Sequence, residues 1–405
     1  MSITLLHRGF GIPSGYEYKR TTYQEGQITF AIQKPIAKCR CSACGSSDVN
    51  PRGIITRFLR TVPIGKRIVE LEVIINRLEC NGCGLIRQEH LSFADERRTY
   101  THAFERYVLE LSKRMTIKDV AIYAQTSWDI VKDIQKRYLH RKFNKPRLKS
   151  LKYIAIDEIN IGQGYKFLTI VMDLEEGVIV YVGDGKSAES LDPFWRRLRR
   201  YKKRIRAVAM DMSAAYIAAV QKNLPHADIV FDHFHVVKLF NEKLTKLRRD
   251  LYRELTDTMQ KGVLKGIRWL LLKNPENLDE KKNEKERLEE ALTLNQPLAT
   301  AYYLKEDLRQ IWIQKNKRSA AQFLKDWIAR AQASGIQILK NFAATLASYR
   351  TGILAYYSHF ISSGPIEGTN NKIKTLNKQA YGFRDKEFFK LKIYALHETK
   401  YALVG

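Results

Sequence analysis

The segment LKYIAID (residues 151–157) has the pattern of a buried strand that ends in a carboxylate. Successive side chains of a strand point to opposite faces, so Ala155 and Asp157 share one face while Ile154 and Ile156 share the other. Both faces are largely apolar, which is typical of a strand in a sheet that is covered by helices on both sides. The pattern therefore predicts that Asp157 terminates a central strand.

A second segment, AVAMD (residues 207–211), repeats this arrangement and brings Asp211 to the end of another buried strand. Two carboxylates at the ends of adjacent strands repel each other, which raises the pKa of one of them unless divalent cations lie between them. Mg²⁺ prefers oxygen ligands and is the expected occupant. Asp157 and Asp211 are thus candidate ligands of a magnesium site.

The sequence around these two strands predicts an α/β domain, because a hairpin comes first and helices then alternate with strands. From about His235 to Phe360 the pattern is nearly all helical. The predicted elements are strands over YKFLTIVMD (165–173) and VIVYVGDG (178–185), a strongly basic helix over SLDPFWRRLRRYKKRIR (190–206), a helix over 213–224 and a strand over DIVFD (228–232).

A third carboxylate stands out in GPIEGTNNKIK (residues 364–374), where Gly-Pro predicts the start of a helix. One interpretation makes Glu367 a capping-box residue that bonds to a free backbone amide. The other follows from helical spacing, which puts Glu367 on the same side as Asn370, Asn371 and Lys374. A carboxylate beside amides and a cation suits a site that handles phosphodiester oxygens.

The overall composition favours a protein that binds nucleic acid. The chain has 405 residues, 44% of them hydrophobic, and 70 Lys and Arg against 43 Asp and Glu give a net charge of +27. Such a surplus repels itself unless a polyanion neutralises part of it. No run of about 18 apolar residues could span a membrane, and the first residues lack the features of a secretory signal. We therefore expect a cytoplasmic protein with no membrane partner.

Much of the positive charge lies between Arg196 and Arg206, where eight of eleven residues are cationic. A solvated helix face is one interpretation, but a track for DNA phosphates is favoured because no acidic residue interrupts the run. Lysines close to Glu367 extend the predicted track. The DNA-binding residues predicted in these two regions are Arg196, Arg197, Arg199, Arg200, Lys202, Lys203, Arg204, Lys372 and Lys374.

All five cysteines lie between Cys39 and Cys83, which indicates a local metal site rather than a disulfide framework. Two C-x-x-C pairs are joined by the alternating segment RIVELEVIINRLEC (67–80), and this is zinc-ribbon organisation. A redox C-x-x-C is the alternative, and two copies joined by strands favour structural zinc. Cys39 is an extra thiol, which could replace Cys41 as a ligand but is most simply a free thiol, because the Cys39-x-Cys41 spacing suits a zinc knuckle less well. The predicted zinc ligands are Cys41, Cys44, Cys80 and Cys83.

The segment TIKDVAIYAQTSWDIVKDIQKRY (116–138) predicts a helix, a short turn and a second helix that begins near Ser127 or Trp128. A plain helical hairpin is one interpretation. A DNA-binding helix-turn-helix is favoured because the segment follows a zinc ribbon in a strongly basic chain. On that interpretation Lys132, Lys136 and Arg137 would contact phosphates.

Taken in order, these motifs resemble the bacterial insertion-sequence transposases of the ISL-three family, a group with a DDE catalytic triad. The resemblance runs over nearly the full length, and the ordered set is highly specific although IAIDE alone is weak. The motifs that carry it are CSACGSS (41–47), the helix-turn-helix, IAIDE (154–158), GYKFLTIVMDLEEG (164–177), VAMDMSAAY (208–216), DIVFDHFHVVKLFN (228–241), GPIEGTNNKIK (364–374) and AYGF (380–383).

The resemblance implies that Asp157, Asp211 and Glu367 are the catalytic triad on a ribonuclease-H-like fold. Glu158, Asp173 and Asp184 are then not members of it. The resemblance also implies that Asp232 and His235 form a D-x-x-H element that supports the active site; without it, His235 is an ordinary histidine at a helix start. Asn370, Asn371 and Lys374 are expected to support the site as well. The long separation of Asp211 from Glu367 implies an inserted helical domain, as the family has.

The predicted fold is therefore multidomain α/β, with an N-terminal zinc ribbon and helix-turn-helix and a ribonuclease-H-like catalytic domain interrupted by an all-helical insertion. The predicted segments are a hairpin and zinc-ribbon DNA-binding domain over 1–95, a helix-turn-helix domain over 100–145, the first part of the catalytic domain over 150–235, the helical insertion over 236–355 and the second part with the glutamate over 356–405.

The implied activity is that of a DDE transposase, a polynucleotidyl transferase for DNA transposition. Two Mg²⁺ ions, with Mn²⁺ tolerated in their place, would support cleavage at the ends of an insertion sequence and transfer of the strands. The partners are double-stranded DNA, as terminal inverted repeats and target, and further copies of the chain in a homodimer or larger synaptic complex. The alternatives are a non-catalytic zinc-ribbon and helix-turn-helix DNA-binding regulator, and a ribonuclease-H-like nuclease without strand transfer.

Overall fold

The protein is described from a computed structural model that covers residues 3–162 and 166–397. The chain divides into two compact units, one formed by residues 1–144 and 376–405 and the other by residues 145–375. Tyr165, the predicted first residue of a strand, lies outside the described residues, as do the last eight positions of the segment predicted over 356–405.

The first unit contains a five-stranded sheet in the order β1-β2-β4-β3, with β5 paired to the end of β4. The predicted hairpin is confirmed: β1 and β2 are antiparallel and are joined by Glu25 and Gly26, both at positive φ. The strands are β1 (Glu17–Gln24), β2 (Gln27–Gln33), β3 (Val49–Arg60), β4 (Ile68–Cys80) and β5 (Ile86–Gln88).

Helix α1 (Ile3–Phe10) precedes this sheet and is not predicted by the sequence pattern. Its residues Leu6 and Phe10 are buried in the same core as the inner face of the sheet, and the ring of Phe10 lies 5.7 Å from that of Phe30. The N-terminal region therefore combines a helix with the expected hairpin.

The helical part of the first unit consists of α2 (His102–Ser112), α3 (Ile117–Tyr123), α4 (Trp128–Phe143) and α16 (Lys386–Ala395). Helices α3 and α4 are the predicted helix-turn-helix. The hydroxyl groups of Thr116 and Ser127 accept hydrogen bonds from backbone amides in the first turns of α3 and α4 respectively, so both start where the sequence predicts.

The second unit is built on a sheet in the order β10-β9-β6-β7-β8. Strands β6, β7 and β8 are antiparallel neighbours, whereas β9 and β10 run parallel to β6. The elements are β6 (Tyr153–Asn160), β7 (Phe167–Asp173), β8 (Val178–Asp184), α5 (Asp192–Leu198), β9 (Ala207–Met210), α6 (Ala214–Asn223) and β10 (Asp228–Phe231).

Two details of this sheet differ from the prediction. Strand β6 does not end at Asp157 but continues to Asn160, because β7 still pairs with it beyond the point where β9 stops. The basic helix ends at Leu198, and part of the run that follows forms a short 3-10 turn. Like charges three or four residues apart, such as Arg196 and Arg200, destabilise a longer helix.

Helices occupy most of the chain between β10 and Glu367. Within them the rings of Phe240, Trp327 and Phe342 are buried and meet edge to face, with centroids 5.0 to 5.8 Å apart. The helices are α7 (His233–Glu254), α8 (Thr258–Gly266), α9 (Glu284–Leu294), α10 (Gln296–Arg309), α11 (Lys317–Ala333), α12 (Gln337–Ser348), α13 (Arg350–Leu354), α14 (Tyr356–His359) and α15 (Gly364–Gln379).

Helix α13 packs against β10 at very short range. A Cβ atom placed on Gly352 would lie 2.4 Å from two ring carbons of Phe231 and 3.2 Å from the carbonyl oxygen of Ile229. Only glycine fits this contact without a shift of its neighbours. None of the described helices is long and apolar enough to cross a membrane.

Candidate active site and metal centres

The four cysteines of the two C-x-x-C pairs come together at one end of β4. Their sulfur atoms all lie within 4.8 Å of one another, with Cys41 Sγ 3.7 Å from Cys83 Sγ and Cys44 Sγ 3.5 Å from Cys80 Sγ. Four thiolates gathered in this way could hold a zinc ion in a tetrahedral shell.

The two cysteine turns have the same backbone hydrogen bonds. The amide of the first cysteine donates to the carbonyl oxygen five residues later, and the glycine after the second cysteine donates back to the first cysteine. Those glycines, Gly45 and Gly84, have φ values of 76° and 69°, which other residues rarely adopt. The backbone amides of Cys44 and Ala43 lower the pKa of Cys41 to about 6, which favours the thiolate that zinc requires.

Cys39 is not part of this group. Its thiol is buried and lies 3.2 Å from Glu89 Oε2, an atom that also accepts a hydrogen bond from Asn76. Burial raises the pKa of Cys39 to about 11, and the hydrogen bond to Glu89 contributes to the rise. Cys39 is therefore a protonated thiol inside a buried polar cluster.

The second unit positions Asp157 and Asp211 from neighbouring parallel strands. Strand β9 pairs with β6 at Tyr153 to Ala155, and Asp211 follows β9 directly. Asp157 lies two residues beyond that pairing, still on β6. Asp211 Oδ1 accepts a hydrogen bond of 3.0 Å from the amide of Ser213, just before α6 begins.

Helix α15 brings the third carboxylate to the same region. Asn370, one turn after Glu367, donates a 2.7 Å hydrogen bond from Nδ2 to Asp157 Oδ2, across 213 positions of sequence. The Asn370 side chain is 5% exposed, and its Oδ1 is buried without a hydrogen-bond partner among the described residues. Asn371 and Lys374, predicted to share that helical face, are exposed instead, as is Lys372.

Burial and the neighbouring acidic side chains together raise the pKa of Asp157. Burial raises this pKa to about 7, and the neighbouring charges of Glu158, Asp211 and Glu367 all add to the rise. Two of the carboxylates that the sequence singles out, Asp211 and Glu367, thus act electrostatically on the third, Asp157. Among the described residues, however, the oxygen atoms of these three carboxylates do not form a group within 4.8 Å of one another, unlike the sulfur atoms of the four cysteines.

Three charged residues near the site are absent from the predicted set. Burial raises the pKa of Glu158, the charge of Asp211 raises it further, and its Oε2 has no hydrogen-bond partner in the described part of the chain. The positive charges of Lys186 and Lys238 act in the opposite direction. The position of Glu158 directly after Asp157 is a visible signal, whereas nothing in the sequence distinguishes the two lysines.

Asp232 connects the starts of two helices. Its Oδ1 accepts a 2.7 Å hydrogen bond from the amide of Phe234 in α7, and its Oδ2 accepts bonds from the amide and the hydroxyl of Ser363, directly before α15. Asp232 is 3% exposed. His235 lies in the first turn of α7, half-buried, with its ring edge-on to that of Phe234.

The cations that the sequence places on α4 are engaged in ion pairs within the first unit. Lys132 and Lys136 lie 3.2 and 3.1 Å from Asp385, and Lys136 also pairs with Glu387 at 2.7 Å. Arg137 contacts several acidic groups, among them Asp95 at 2.8 Å. These side chains fasten α4 to neighbouring segments.

The basic run of the second unit is mostly exposed. Two of its arginines hold the segment that precedes β6: Arg197 donates to the carbonyl oxygen of Pro146, and Arg204 to that of Lys149. Lys202 donates to Asn223. The exposed members are Arg196, Arg197, Arg199, Arg200, Lys203, Arg204 and Arg206.

Comparisons with known proteins agree with this layout. The chain is 34% identical to the transposase for insertion sequence element IS1001 of Bordetella parapertussis, over 94% of this chain and 95% of that protein. It is 29% identical to the transposase for insertion sequence element IS1557 of Mycobacterium tuberculosis, over 86% and 83% respectively. A chain of the Drosophila P element transposase strand transfer complex matches 63% of this chain and 79% of its own length at 12% identity, with a TM-score of 0.34, too low to inform the fold.

Two family models also match. Residues 89–139 match the helix-turn-helix domain of transposase family ISL3, and these residues contain α2, α3 and most of α4. Residues 154–393 match the family's transposase model, which includes all three acidic candidates. This second match extends over more than half of the sequence, and the chain accordingly belongs to the ISL3 family of transposases.

Proposed function

We propose that this transposase cleaves DNA at the ends of an insertion sequence and transfers the strands to target DNA through Asp157, Asp211 and Glu367. The observation that carries the proposal is the 2.7 Å hydrogen bond from Asn370 to Asp157, which brings the helix of Glu367 to the part of the sheet where Asp157 and Asp211 lie. The pKa of Asp157, raised mainly by burial and further by all three neighbouring carboxylates, agrees with it. Isolated surface acids would not influence one another in this way. Perturbed carboxylates that converge from distant positions are typical of functional sites.

The second unit would serve as a ribonuclease-H-like catalytic domain with a helical insertion. Three antiparallel strands followed by two strands parallel to the first support this assignment. Helices α7 to α14 separate the sheet from α15, in agreement with an insertion over 236–355 between catalytic parts at 150–235 and 356–405. The zinc ribbon (1–95) and helix-turn-helix (100–145) would form the DNA-binding part.

Family membership implies a divalent metal, and the chemistry of the residues suits Mg²⁺. Three carboxylates supply the oxygen ligands that Mg²⁺ prefers, and a cation would relieve the repulsion that raises the pKa of Asp157. When bound, the metal supplies activation of the attacking oxygen and stabilisation of the leaving oxygen. Asp157, Asp211 and Glu367 would hold it, and the four cysteines would hold structural zinc.

Other residues of the chain would orient these ligands and receive the DNA. Asn370 donates to Oδ2 of Asp157 and the amide of Glu158 donates to Oδ1, so both carboxylate oxygens are held in place. Asp232 holds the start of α15 through Ser363 and thereby sets the position of Glu367. The exposed lysines Lys372 and Lys374 and the basic run from Arg196 to Arg204 would contact phosphates.

Strand transfer requires both ends of the element in one assembly. We therefore propose that the transposase works as a homodimer or larger synaptic complex on the terminal inverted repeats and on target DNA, at the bacterial nucleoid. Synapsis would also keep a cut end close to its target, since joining two bound partners is favoured by their high effective concentration.

The test uses a labelled duplex of the inverted repeat that flanks the encoding gene, together with a target plasmid. Asp157→Asn, Asp211→Asn and Glu367→Gln remove a charge with little change in shape. Each is expected to lower Mg²⁺-dependent cleavage and joining by at least about 100-fold, because ligands of one metal site act as a unit. End binding should persist in all three variants.

The matched control is Glu176→Gln, which removes an exposed charge in the turn between β7 and β8 of the same unit. It should leave cleavage unchanged. Cleavage that persists in all three site variants would overturn the assignment. A wild-type protein that binds ends but never cuts would act as a regulator, and one that cuts without joining a pre-cut end would act as a nuclease.

A further inference from the structure

Three cations of α4 are predicted to contact DNA phosphates, but they do not identify the surface of the helix-turn-helix that binds DNA. Lys132 and Lys136 face acidic residues before and within α16, and Arg137 faces Asp95. A cation already neutralised at 2.7 to 3.2 Å adds little to phosphate binding, because its ion pair must be broken first. The DNA-binding surface is therefore expected where exposed cations have no such partner.

The tip of the helix-turn-helix exposes large side chains. Trp128, the first residue of α4, is 56% exposed, and Tyr123 at the end of α3 is 61% exposed. Exposed aromatic residues grouped within a few positions are typical of interaction sites. In helix-turn-helix proteins the N-terminal residues of the second helix contact base edges in the major groove.

The loop between β3 and β4 is fastened to this tip. Arg60, at the end of β3, donates a 2.9 Å hydrogen bond to the carbonyl oxygen of Ala124, which ends α3. Gln125, in the turn at a φ of 49°, donates a 2.9 Å bond from its side chain to the carbonyl oxygen of Lys66. Lys66 therefore lies beside the helix-turn-helix turn although it belongs to a loop between two strands of the sheet.

The loop offers two unpaired cations at that position. Lys66 and Arg67 are exposed, and their side chains have no ion pair with any of the described residues. Arg97 is exposed as well, and residues 97–100 line a hollow together with Asp129, Ile130 and Asp133. Basic groups thus flank the first turns of α4.

We propose that Lys66, Arg67, Arg97, Tyr123 and Trp128 form one duplex-DNA surface, here named the α4-tip surface. Trp128 and Asp129 would enter the major groove, where a carboxylate can accept a hydrogen bond from cytosine N4. Lys66 and Arg67 would contact the phosphates next to it. The positive charge on both flanks complements DNA and fits no apolar partner. This inference rests on the proposed binding of transposon ends and assigns that binding to particular residues.

The test measures binding of the full-length, zinc-loaded protein to the end duplex and to a scrambled duplex of equal length, over a range of salt concentrations. The double variant Lys66→Ala/Arg67→Ala should bind both duplexes about tenfold more weakly and reduce the salt slope by about two. Trp128→Ala should lower affinity for the end duplex about tenfold and for the scrambled duplex much less. Unchanged melting temperatures and zinc content establish that the variants are folded.

Two matched controls accompany these variants. Lys281→Ala/Lys285→Ala removes two exposed charges from the helical part of the second unit and should keep the slope. Lys325→Ala, which removes one exposed charge from α11, should keep it as well. Two outcomes would refute the α4-tip surface while wild-type end binding stands. One is an unchanged salt slope for the Lys66/Arg67 variant. The other is a Trp128→Ala variant that changes self-association but not DNA binding. Absence of wild-type binding would refute the proposed function and this surface together.

Discussion

The carboxylate of Asp232 accepts two hydrogen bonds from Ser363, one of 2.7 Å from its amide and one of 2.5 Å from its hydroxyl. This contact fixes the start of α15 to the start of α7. Asp232→Asn should lower DNA cleavage by about tenfold or more with end binding intact, because Glu367 loses its anchor. We also expect the free energy of unfolding to fall by about 1–3 kcal/mol, since buried donors lose their acceptor. Cleavage assays and urea unfolding check both effects.

Ser363→Ala provides the graded comparison for that variant. It removes the hydroxyl bond but keeps the amide bond, so the stability loss should be about 1 kcal/mol and cleavage should change only a few-fold. Full activity in Asp232→Asn would show that the position of α15 does not depend on this contact.

The raised pKa of Asp157 predicts a pH-dependent stability in protein kept free of Mg²⁺. Its folded pKa of about 7 lies above the ordinary value of 3.8, so ionisation opposes folding. The loss of folding free energy that ionised Asp157 causes is absent below about pH 4, grows as the pH rises and is complete above about pH 7. Asp157→Asn does not titrate and should be more stable than wild type at pH 8, by at most about 4 kcal/mol. Urea unfolding at pH 5 and pH 8 measures the difference.

Asn370 can adapt to that substitution. Its unpaired Oδ1 becomes available to accept a hydrogen bond from the new amide if the Asn370 side chain turns over. Equal stability differences at both pH values would show that the pKa of Asp157 is not raised in the folded protein.

Zinc content should separate Cys39 from the other four cysteines. Cys80→Ser removes one of the gathered sulfur ligands and should abolish tight zinc binding, whereas Cys39→Ser should keep about one zinc per chain. After chelation we expect rapid alkylation of Cys41 at pH 7.5, because its pKa is about 6. Cys39 should react slowly because it is buried and its pKa is about 11. Loss of zinc in Cys39→Ser would make it a ligand.

The contact between Gly352 and Phe231 predicts a clear stability effect. Gly352→Ala forces a methyl group against the Phe231 ring, and such overpacking costs about 1–3 kcal/mol. Gly262→Ala is the matched control, because its added methyl meets nothing within 4 Å and alanine favours the interior of α8. Melting temperatures should fall for the first variant and rise slightly for the second. Equal melting temperatures would mean that α13 and β10 separate at little cost.

Short-range sequence patterns predict the local elements of this protein well. Apolar periodicity identifies the hairpin of β1 and β2, the start of α4 near Ser127, and the strand that carries Asp157. Cysteine spacing identifies a cluster that the structure brings together. These predictions succeed because each depends on residues a few positions apart.

Contacts between distant positions are beyond such patterns. Asp232 and Ser363 are 131 positions apart, and Lys136 and Asp385 are 249 apart, so no local signal pairs them. Lys136 carries the positive charge that a phosphate contact needs, but it pairs with an acidic residue of its own unit. Its contact with DNA stays a prediction. The prediction for the basic run fails differently: the helical pattern continues to Arg206, but α5 ends at Leu198.

The late position of α15 in the chain matters for how the transposase is made. Glu367 is residue 367 of 405, so a ribosome translates Asp157 and Asp211 long before it reaches the codon for the last member of the proposed triad. A nascent or prematurely terminated polypeptide can carry a folded sheet and still be unable to nick a genome. On the proposed mechanism, incomplete translation products that lack Glu367 cannot cut host DNA, because the last catalytic residue comes late in the order of translation.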